Sequence, residues 1–463
     1  MYFENFQLRA GVFGVKRVWA LFLLALLITG CDVSNAVFIN PNSRSELDED
    51  LEAVLEEASA GKGLNHFIMP GSTDLAAIPQ DPNNPLSAAK VKLGKLLYHE
   101  TGLGTNPKYP EGAQTYSCAS CHHVAAGFQA GRIQGVGEGG MGFGVRGEGR
   151  VNDPHYEITA LDIQPIRSPS AMNTAYQDVM LWNGQFGAVG TNAGTEANWT
   201  VGTPKEENIL GYEGLEIQAI AALKVHRMDR IELSVASNHE TYKTLFAEAF
   251  PGQPIDRVYA GLAIGAYERT LLANAAPFQR WLRGKKNAMT DQEKRGAVLF
   301  FGKAECATCH NGPALNSMTF YALGMADLEG PGVYGDVPVD KAESLGRGGF
   351  TGDPADNYKF KTPQIYNLLD SPFYGHGGTF NSVREVIEYK NNAVPTRSVT
   401  ASQVPTAFKP LGLTSTEIDD ITAFIEGALY DAELHRYLPA SLPSGNCFPV
   451  NDVTARADLG CGS

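Results

Sequence analysis

The chain is short of basic residues: 37 Lys and Arg stand against 51 Asp and Glu, which leaves a formal net charge of −14. This charge argues against a nucleic-acid partner and favours a small basic protein partner, because opposite charges steer association. Long apolar runs are also scarce, and the run at Val18–Ile28 is too short to be assigned as a transmembrane helix. Strand-like alternation is rare, which excludes an architecture built on large β-sheets.

The run at Val18–Ile28 has the features of a secretory signal, since Lys16 and Arg17 precede it and Gly30-Cys31 follows. We interpret residues 1–30 as a lipoprotein signal, with Cys31 as the lipidated first residue of the mature chain. An ordinary signal peptide is the alternative. This interpretation places the protein on the periplasmic side of a bacterial membrane, in contact with it through the lipid anchor only. Residues 1–30 are net basic, so the mature chain would carry about −16.

Two Cys-x-x-Cys-His motifs are the strongest signal in the chain. This is the spacing of haem c attachment, in which the two cysteines bind the haem covalently and the histidine ligates the iron. A structural zinc site would need further ligands at zinc-ribbon spacing, and a redox dithiol would not need the histidines. We therefore expect two covalently bound haem c groups, held by Cys118, Cys121, His122, Cys306, Cys309 and His310.

Cys447 and Cys461 lie near the carboxyl terminus, in a tail rich in Pro, Gly and Asp. In an oxidising compartment we expect these two cysteines to form a disulfide. Its expected role is structural, because it would pin a segment with little periodic pattern of its own.

Helical periodicity recurs along the chain, and long glycine-rich stretches such as Gly127–Gly149 and Gly324–Gly352 separate the helical segments. Loops of this length are uncommon in compact domains unless they wrap a ligand, and haem supplies that apolar mass. The sequence therefore predicts an all-α, loop-rich fold. Helices are expected at 46–58, Ala88–Tyr98, Leu215–Met228, Glu240–Phe250, Ile255–Leu272, Asp291–Phe301, Val383–Lys390 and Ser415–Leu429.

The two halves of the chain resemble each other after their haem motifs. Ile166–Asn173 matches Phe360–Asn367, and in this register Trp182 and His376 take equivalent positions. We predict two tandem cytochrome domains, with Trp182 and His376 near the domain interface along an electron path. The expected organisation is a signal at 1–30, a linker with an amino-terminal helix at 31–85, haem domains at 86–280 and 281–435, and a tail at 436–463.

These features together resemble the bacterial di-haem cytochrome c peroxidase family over about residues 86–430. The resemblance implies that the amino-terminal haem reacts with peroxide, that the carboxyl-terminal haem accepts electrons, and that Trp182 links the two. It also implies reduction of hydrogen peroxide to water with electrons from a small soluble protein such as a monohaem cytochrome c. Relatives often hold calcium between the domains. The matching segments are Leu93–Tyr98, Leu181–Gly184, Thr362–Pro363 and His376–Gly378.

Two further expectations concern the first haem. The family moves a proton between the peroxide oxygens with a glutamate, and the resemblance of Gly214–Ala219 to that stretch assigns this role to Glu216, with Glu213 as the alternative. Many relatives carry a distal histidine after the first motif, but no histidine lies between His123 and His155. We therefore expect the first iron to have an open position.

The second haem departs from the family, which places a methionine fourteen residues after the equivalent of His376. This chain has Lys390 there, beside Tyr389, and no methionine after Met325. The expected distal ligand is Lys390 or Tyr389, with Met325 or Met318 as alternatives. A tyrosine here resembles the di-haem enzyme that completes the tryptophan-derived quinone of methylamine dehydrogenase. Two other functions thus accompany the peroxidase: peroxide-dependent oxidation of a partner protein, and non-enzymatic electron transfer.

Overall fold

Helices joined by long loops dominate this computed structural model, which describes residues 45–335 and 341–461. The strands in these ranges are short antiparallel pairs: β1 (Gly140–Met141) with β2 (Val151–Asn152), and β3 (Phe320–Tyr321) with β4 (Phe360–Lys361). The α-helices of the described residues are α1 (Glu46–Ala58), α2 (Ala88–His99), α3 (Gly214–Val225), α4 (Val235–Asn238), α5 (Glu240–Ala249), α6 (Arg257–Glu268), α7 (Pro277–Leu282), α8 (Asp291–Phe301), α9 (Arg347–Thr351), α10 (Val383–Asn392), α11 (Ser415–Ala423) and α12 (Val453–Asp458). The helix-rich character expected from the sequence is confirmed.

The helices begin and end where local chemistry predicts. Capping boxes start α1, α8 and α11, and in each the side chain of a Ser or Thr accepts from the backbone three residues later. The segment expected to be helical to Met228 ends earlier, because Arg227 adopts a left-handed φ of 59° that a helix cannot continue. The segment expected from Ile255 begins at Arg257, after the N-cap Asp256.

Export and lipidation concern a part of the chain that lies outside the described residues. The predicted signal at 1–30 and the predicted lipid site at Cys31 both belong to it. Within residues 45–335 and 341–461, no helix has both the length and the apolar character needed to cross a membrane.

Two close helix crossings support the segments that lead into the haem motifs. Helix α2 packs against α6, and a Cβ added at Gly94 would lie 1.8 Å from the carbonyl oxygen of Ala263. Helix α8 packs against α11, and a Cβ added at Gly296 would lie 1.9 Å from the carbonyl oxygen of Asp420. Only glycine permits backbones to approach this closely.

Replacing Gly94 by alanine should therefore destabilise the protein by about 1–3 kcal/mol, because the added methyl group meets a backbone carbonyl that cannot move aside. Gly265→Ala on the facing helix α6 is the matched control. A Cβ there would lie 3.4 Å from Glu216 Cα, an ordinary contact, so helix propensity should leave stability unchanged or raise it by up to about 1 kcal/mol. Urea denaturation of both variants measures the difference, and equal effects would contradict the close crossing.

Local backbone features recur along with the sequence repeat. Asn173 and Asn367 both adopt left-handed conformations, with φ of 58° and 54°, and each precedes a 3₁₀ turn. Isolated bridges then close the loops that carry Trp182 and His376. One apolar cluster includes residues from both halves, such as Leu97 and Phe300. The division into two haem domains therefore stays a prediction.

The carboxyl-terminal tail folds back onto the first haem motif, a contact that the sequence did not predict. Cys447 and Cys461 are joined by a disulfide. The carbonyl oxygen of Pro449 accepts a hydrogen bond from Ser117 Oγ (2.8 Å), one residue before the motif, and the Asp458 carboxylate accepts one from the Phe143 N–H (2.7 Å). The tail thus covers the loop that follows the motif.

Candidate haem-binding site

The first motif presents the groups that a haem c would use. Cys118 begins a 3₁₀ turn and Cys121 ends it, and both are free thiols. His122 Nδ1 is buried without a hydrogen-bond partner, and burial lowers the pKa of His122 to about 4. The ring is therefore neutral, which is the form that ligates iron. The Tyr98 hydroxyl donates to the His122 carbonyl oxygen at 2.6 Å and fixes the turn.

The second motif borders a largely apolar cavity of about 310 Å³, which Cys306, Cys309 and His310 help to line. His310 Nδ1 lies 3.0 Å from the Leu315 carbonyl oxygen, so the protonated tautomer at Nδ1 leaves Nε2 available. Such a second bond is typical of histidines that ligate metals, because it fixes the ring orientation. Burial lowers the pKa of His310 to about 4. Both motifs thus fit covalently bound haem c.

The structure brings two of the four expected distal residues to this cavity. Lys390 and Met325 line it, and burial lowers the pKa of Lys390 to about 8. Tyr389, in contrast, donates its hydroxyl to the carbonyl oxygen of Leu323 at 2.5 Å. Met318 lines a different pocket. In this arrangement the Tyr389 hydroxyl is hydrogen-bonded to the backbone and does not line the cavity.

Trp182 and His376, which the sequence repeat places at equivalent positions, lie next to each other beside the same cavity. Their ring centroids are 6.3 Å apart, in an edge-to-face arrangement. The Trp182 indole N–H donates to the Arg167 carbonyl oxygen (2.8 Å), and the Arg167 N–H donates to the His376 carbonyl oxygen (2.9 Å). His376 Nε2 also lies 3.1 Å from Asp327 Oδ1. Aromatic rings and short hydrogen bonds therefore connect the two halves.

Lys361 is a buried cation that sequence reasoning did not single out. Its ammonium donates to the Val179 carbonyl oxygen (2.6 Å) and to Gln177 Oε1 (2.5 Å), and its backbone N–H donates to the Trp182 carbonyl oxygen (2.8 Å). Burial lowers the pKa of Lys361 to about 7. No pattern in the sequence shows that this lysine is buried and bonded to the Trp182 backbone.

Glu216 lies in the first turn of α3 and is fully buried. Its two carboxylate oxygens accept from Arg269 Nε (2.8 Å) and Nη2 (2.6 Å), and Glu213 accepts from the same Nη2 (2.8 Å). Such charge-assisted pairs are strong and hold the carboxylate in place. The acid–base role expected for Glu216 stays a prediction, since proton transfer would compete with Arg269.

Two further expectations concern the open position on the first iron and a bound calcium ion. His123 Nε2 lies 2.8 Å from the Arg146 carbonyl oxygen, and its ring packs on Phe143, so other residues of the protein already engage this histidine. Across residues 45–335 and 341–461, no cluster of three or more His, Cys, Asp or Glu side chains is arranged to hold a metal ion. The calcium expectation thus gains no support from side chains in that part of the chain.

Comparison with known proteins agrees with these features. Residues 88–287 match the sequence model of a family described as di-haem cytochrome c peroxidase. The chain is 27% identical over 407 residues to the cytochrome-c peroxidase IdrP1 of Pseudomonas sp. (strain SCT), covering 83% of this chain and 93% of that protein. It is 26% identical over 353 residues to the methylamine utilization protein MauG of Methylorubrum extorquens, covering 76% and 81%.

A solved structure supports the fold. A MauG-like protein associated with microbial copper homeostasis superposes with a TM-score of 0.52 at 24% sequence identity. The superposition covers 79% of this chain and 94% of that one. The likeness therefore extends over most of the described helices and loops.

Proposed function

Because this chain belongs to the di-haem cytochrome c peroxidase family, we propose that it is an exported enzyme that reduces hydrogen peroxide to water with electrons from a small soluble protein. The observation that carries the proposal is the contact between Trp182 and His376 beside the cavity that His310 lines. Haem iron, when bound, supplies the redox chemistry. The protein supplies attachment, orientation and a path between two sites.

Each group of residues has a proposed task. His122 and His310 are the axial ligands, and neutral buried rings support this because a protonated imidazole cannot bind iron. Trp182 and His376 lie on the path between the two haem sites. Lys390 or Met325 is the distal ligand of the second haem, since both line its cavity. The net charge of −14 supports a basic donor such as a monohaem cytochrome c.

The second candidate function is peroxide-dependent oxidation of a partner protein. The similarity to MauG over 76% of the chain favours it. The hydrogen bond from Tyr389 to the Leu323 carbonyl oxygen does not, because a tyrosine ligand would have to leave this bond. We therefore place peroxide reduction first.

Export and lipidation complete the proposal. We propose that residues 1–30 are removed on export and that Cys31 carries lipid, because an apolar run ending in Gly-Cys follows two basic residues. This would keep the enzyme on the periplasmic side of its membrane. The intact mass of the mature protein tests this, and a mass with residues 1–30 present would contradict it.

The function is tested on mature protein isolated with its haems. Electron paramagnetic resonance should show one high-spin and one low-spin haem, and a reduced small cytochrome should be oxidised only when peroxide is present. Two low-spin haems without peroxide turnover would favour simple electron transfer. Peroxide consumption that needs a partner protein instead of a cytochrome would favour the second candidate.

Replacing Trp182 by phenylalanine should leave the initial reaction with peroxide intact and slow the electron transfer that follows. Phenylalanine fills much of the same space, but it is far harder to oxidise and cannot donate to the Arg167 carbonyl oxygen. Stopped-flow spectra separate the two steps. Trp199→Phe is the control, since the Trp199 indole N–H donates to Thr195 Oγ1 (3.2 Å), a local contact four residues away. Lost peroxide reaction with intact electron transfer would refute the assignment.

A further inference from the structure

A histidine–aspartate pair adjoins the first haem motif. His226 caps the carboxyl end of α3, and its Nδ1 lies 2.9 Å and 3.0 Å from the two carboxylate oxygens of Asp162. The Asp162 side chain is 5% exposed, whereas that of His226 is 29% exposed. The pair is thus anchored inside the protein while the imidazole reaches solvent, as a group that exchanges protons requires.

The segments that carry this pair contact the first motif from two directions. The Tyr116 hydroxyl, two residues before Cys118, donates to the Arg227 carbonyl oxygen at 3.1 Å and fixes the chain beside His226. On the other side, the Gly137 N–H donates to the Asp162 carbonyl oxygen at 2.9 Å. A Cβ added at Gly135 would lie 2.8 Å from Cys121 Sγ, so this segment lies directly against the motif.

The neighbouring cation Arg227 pairs with Glu138, whereas the Asp162 carboxylate bonds His226. The guanidinium of Arg227 points to the buried Glu138 carboxylate and to the Ala160 carbonyl oxygen (2.9 Å). Burial favours the neutral ring of His226, but the charge of Asp162 and its hydrogen bond prevail and raise the pKa of His226.

We propose that His226, oriented by Asp162, is the proton-transfer residue of the first haem site. This inference deepens the proposed function and rests on it. The imidazole accepts the proton of one peroxide oxygen and gives it to the other, which leaves as water with the electron pair of the O–O bond. The remaining oxygen takes two electrons from the donor and two protons from solvent and becomes the second water. Asp162 acts as a positioning residue.

Availability for proton transfer distinguishes His226 from Glu216. Both oxygens of Glu216 accept from Arg269. By contrast, His226 uses Nδ1 for Asp162, and no residue in the described ranges bonds to its Nε2. An imidazole with one nitrogen held by a carboxylate and the other available is the usual arrangement for general acid–base catalysis.

The test compares three glutamine variants of the mature, haem-loaded protein. His226→Gln should slow the reaction with peroxide by about 10²–10⁴-fold, the usual contribution of a general acid–base. Glu216→Gln should retain more of the rate than His226→Gln. His155→Gln is the matched control, because His155 forms the same kind of pair with Asp153 (2.8 Å) but its side chain is 81% exposed, and it should leave the rate unchanged.

A second readout does not depend on turnover. Hydrogen cyanide must also lose a proton to bind ferric haem, so cyanide association should slow in His226→Gln while the spectrum of the oxidised protein stays the same. Asp162→Asn should slow both reactions by about 10–100-fold, as loss of an orienting partner does. If His226→Gln fails to retain haem, Asp162→Asn tests the same role of His226.

The outcomes separate the two hypotheses. If Glu216→Gln slows both reactions and His226→Gln and Asp162→Asn slow neither, the inference is overturned and Glu216 is the proton carrier. If wild-type protein does not reduce peroxide with any donor, the proposed function fails. The cyanide comparison then still decides the role of His226, because it needs only an accessible ferric haem.

Discussion

Replacing Cys306 and Cys309 together by alanine should remove one covalent haem and abolish peroxide reduction supported by an electron donor. Without thioether bonds, the apolar cavity beside His310 would lose the group that covers its lining. The first motif would remain, so one initial reaction with peroxide should survive while repeated turnover stops. Mass spectrometry counts the haems, and stopped-flow and steady-state assays separate the first turnover from later ones.

The control for this experiment is the double variant Cys447→Ser and Cys461→Ser. These cysteines form a disulfide in the tail, and neither of them belongs to a haem motif. Both haems and steady-state turnover should therefore persist, although the tail would be less firmly held. Full donor-supported turnover in a protein that lacks the second haem would refute the two-centre mechanism.

Replacing Arg269 by methionine should destabilise the protein by about 3–5 kcal/mol, the usual cost of removing one partner of a buried ion pair. The Arg269 and Glu216 side chains are both fully buried, and Glu213 joins them at the same guanidinium. The variant would leave the Glu216 carboxylate buried without its cation. Urea denaturation followed by circular dichroism measures the loss.

Two further variants show whether the stability lost in Arg269→Met comes from the buried charge of Glu216. Combining Arg269→Met with Glu216→Gln should restore part of the lost stability, because the uncompensated charge is removed. Lys243→Met breaks an exposed pair with Glu240, whose side chain is 85% exposed, and should leave the free energy of unfolding almost unchanged. Equal losses for Arg269→Met and Lys243→Met would show that the buried cluster does not stabilise the fold.

Sequence patterns predicted much of the site and several helices. The two haem motifs, the helix at Asp291–Phe301 and the equivalence of Trp182 with His376 depend on short spacings, which a single chain displays directly. The expected pairing of Cys447 with Cys461 followed from cysteine counting and the compartment. Helix ends were less predictable, because the left-handed Arg227 that ends its helix leaves no signal in periodicity.

The contacts between distant segments could not be predicted. Asp162 and His226 are 64 residues apart, and Glu216 and Arg269 are 53 apart. In each case the sequence contains several oppositely charged residues that could have been the partner. The sequence likewise did not predict that Pro449 of the tail would contact Ser117, which lies 332 residues away. A local pattern cannot choose among partners that only packing brings together.

The sequence by itself determined which chemistry this protein can carry: two haem c attachment motifs and a tryptophan placed by an internal repeat. These depend on covalent spacing and periodicity, which the order of residues specifies. Tertiary structure alone decided which side chains are free to act. It tied Glu216 to Arg269 and Tyr389 to a backbone carbonyl, and it left His226 beside the first motif with one nitrogen available. The reason is that burial and hydrogen-bond partners arise only when helices and loops pack, and these partners set protonation and availability.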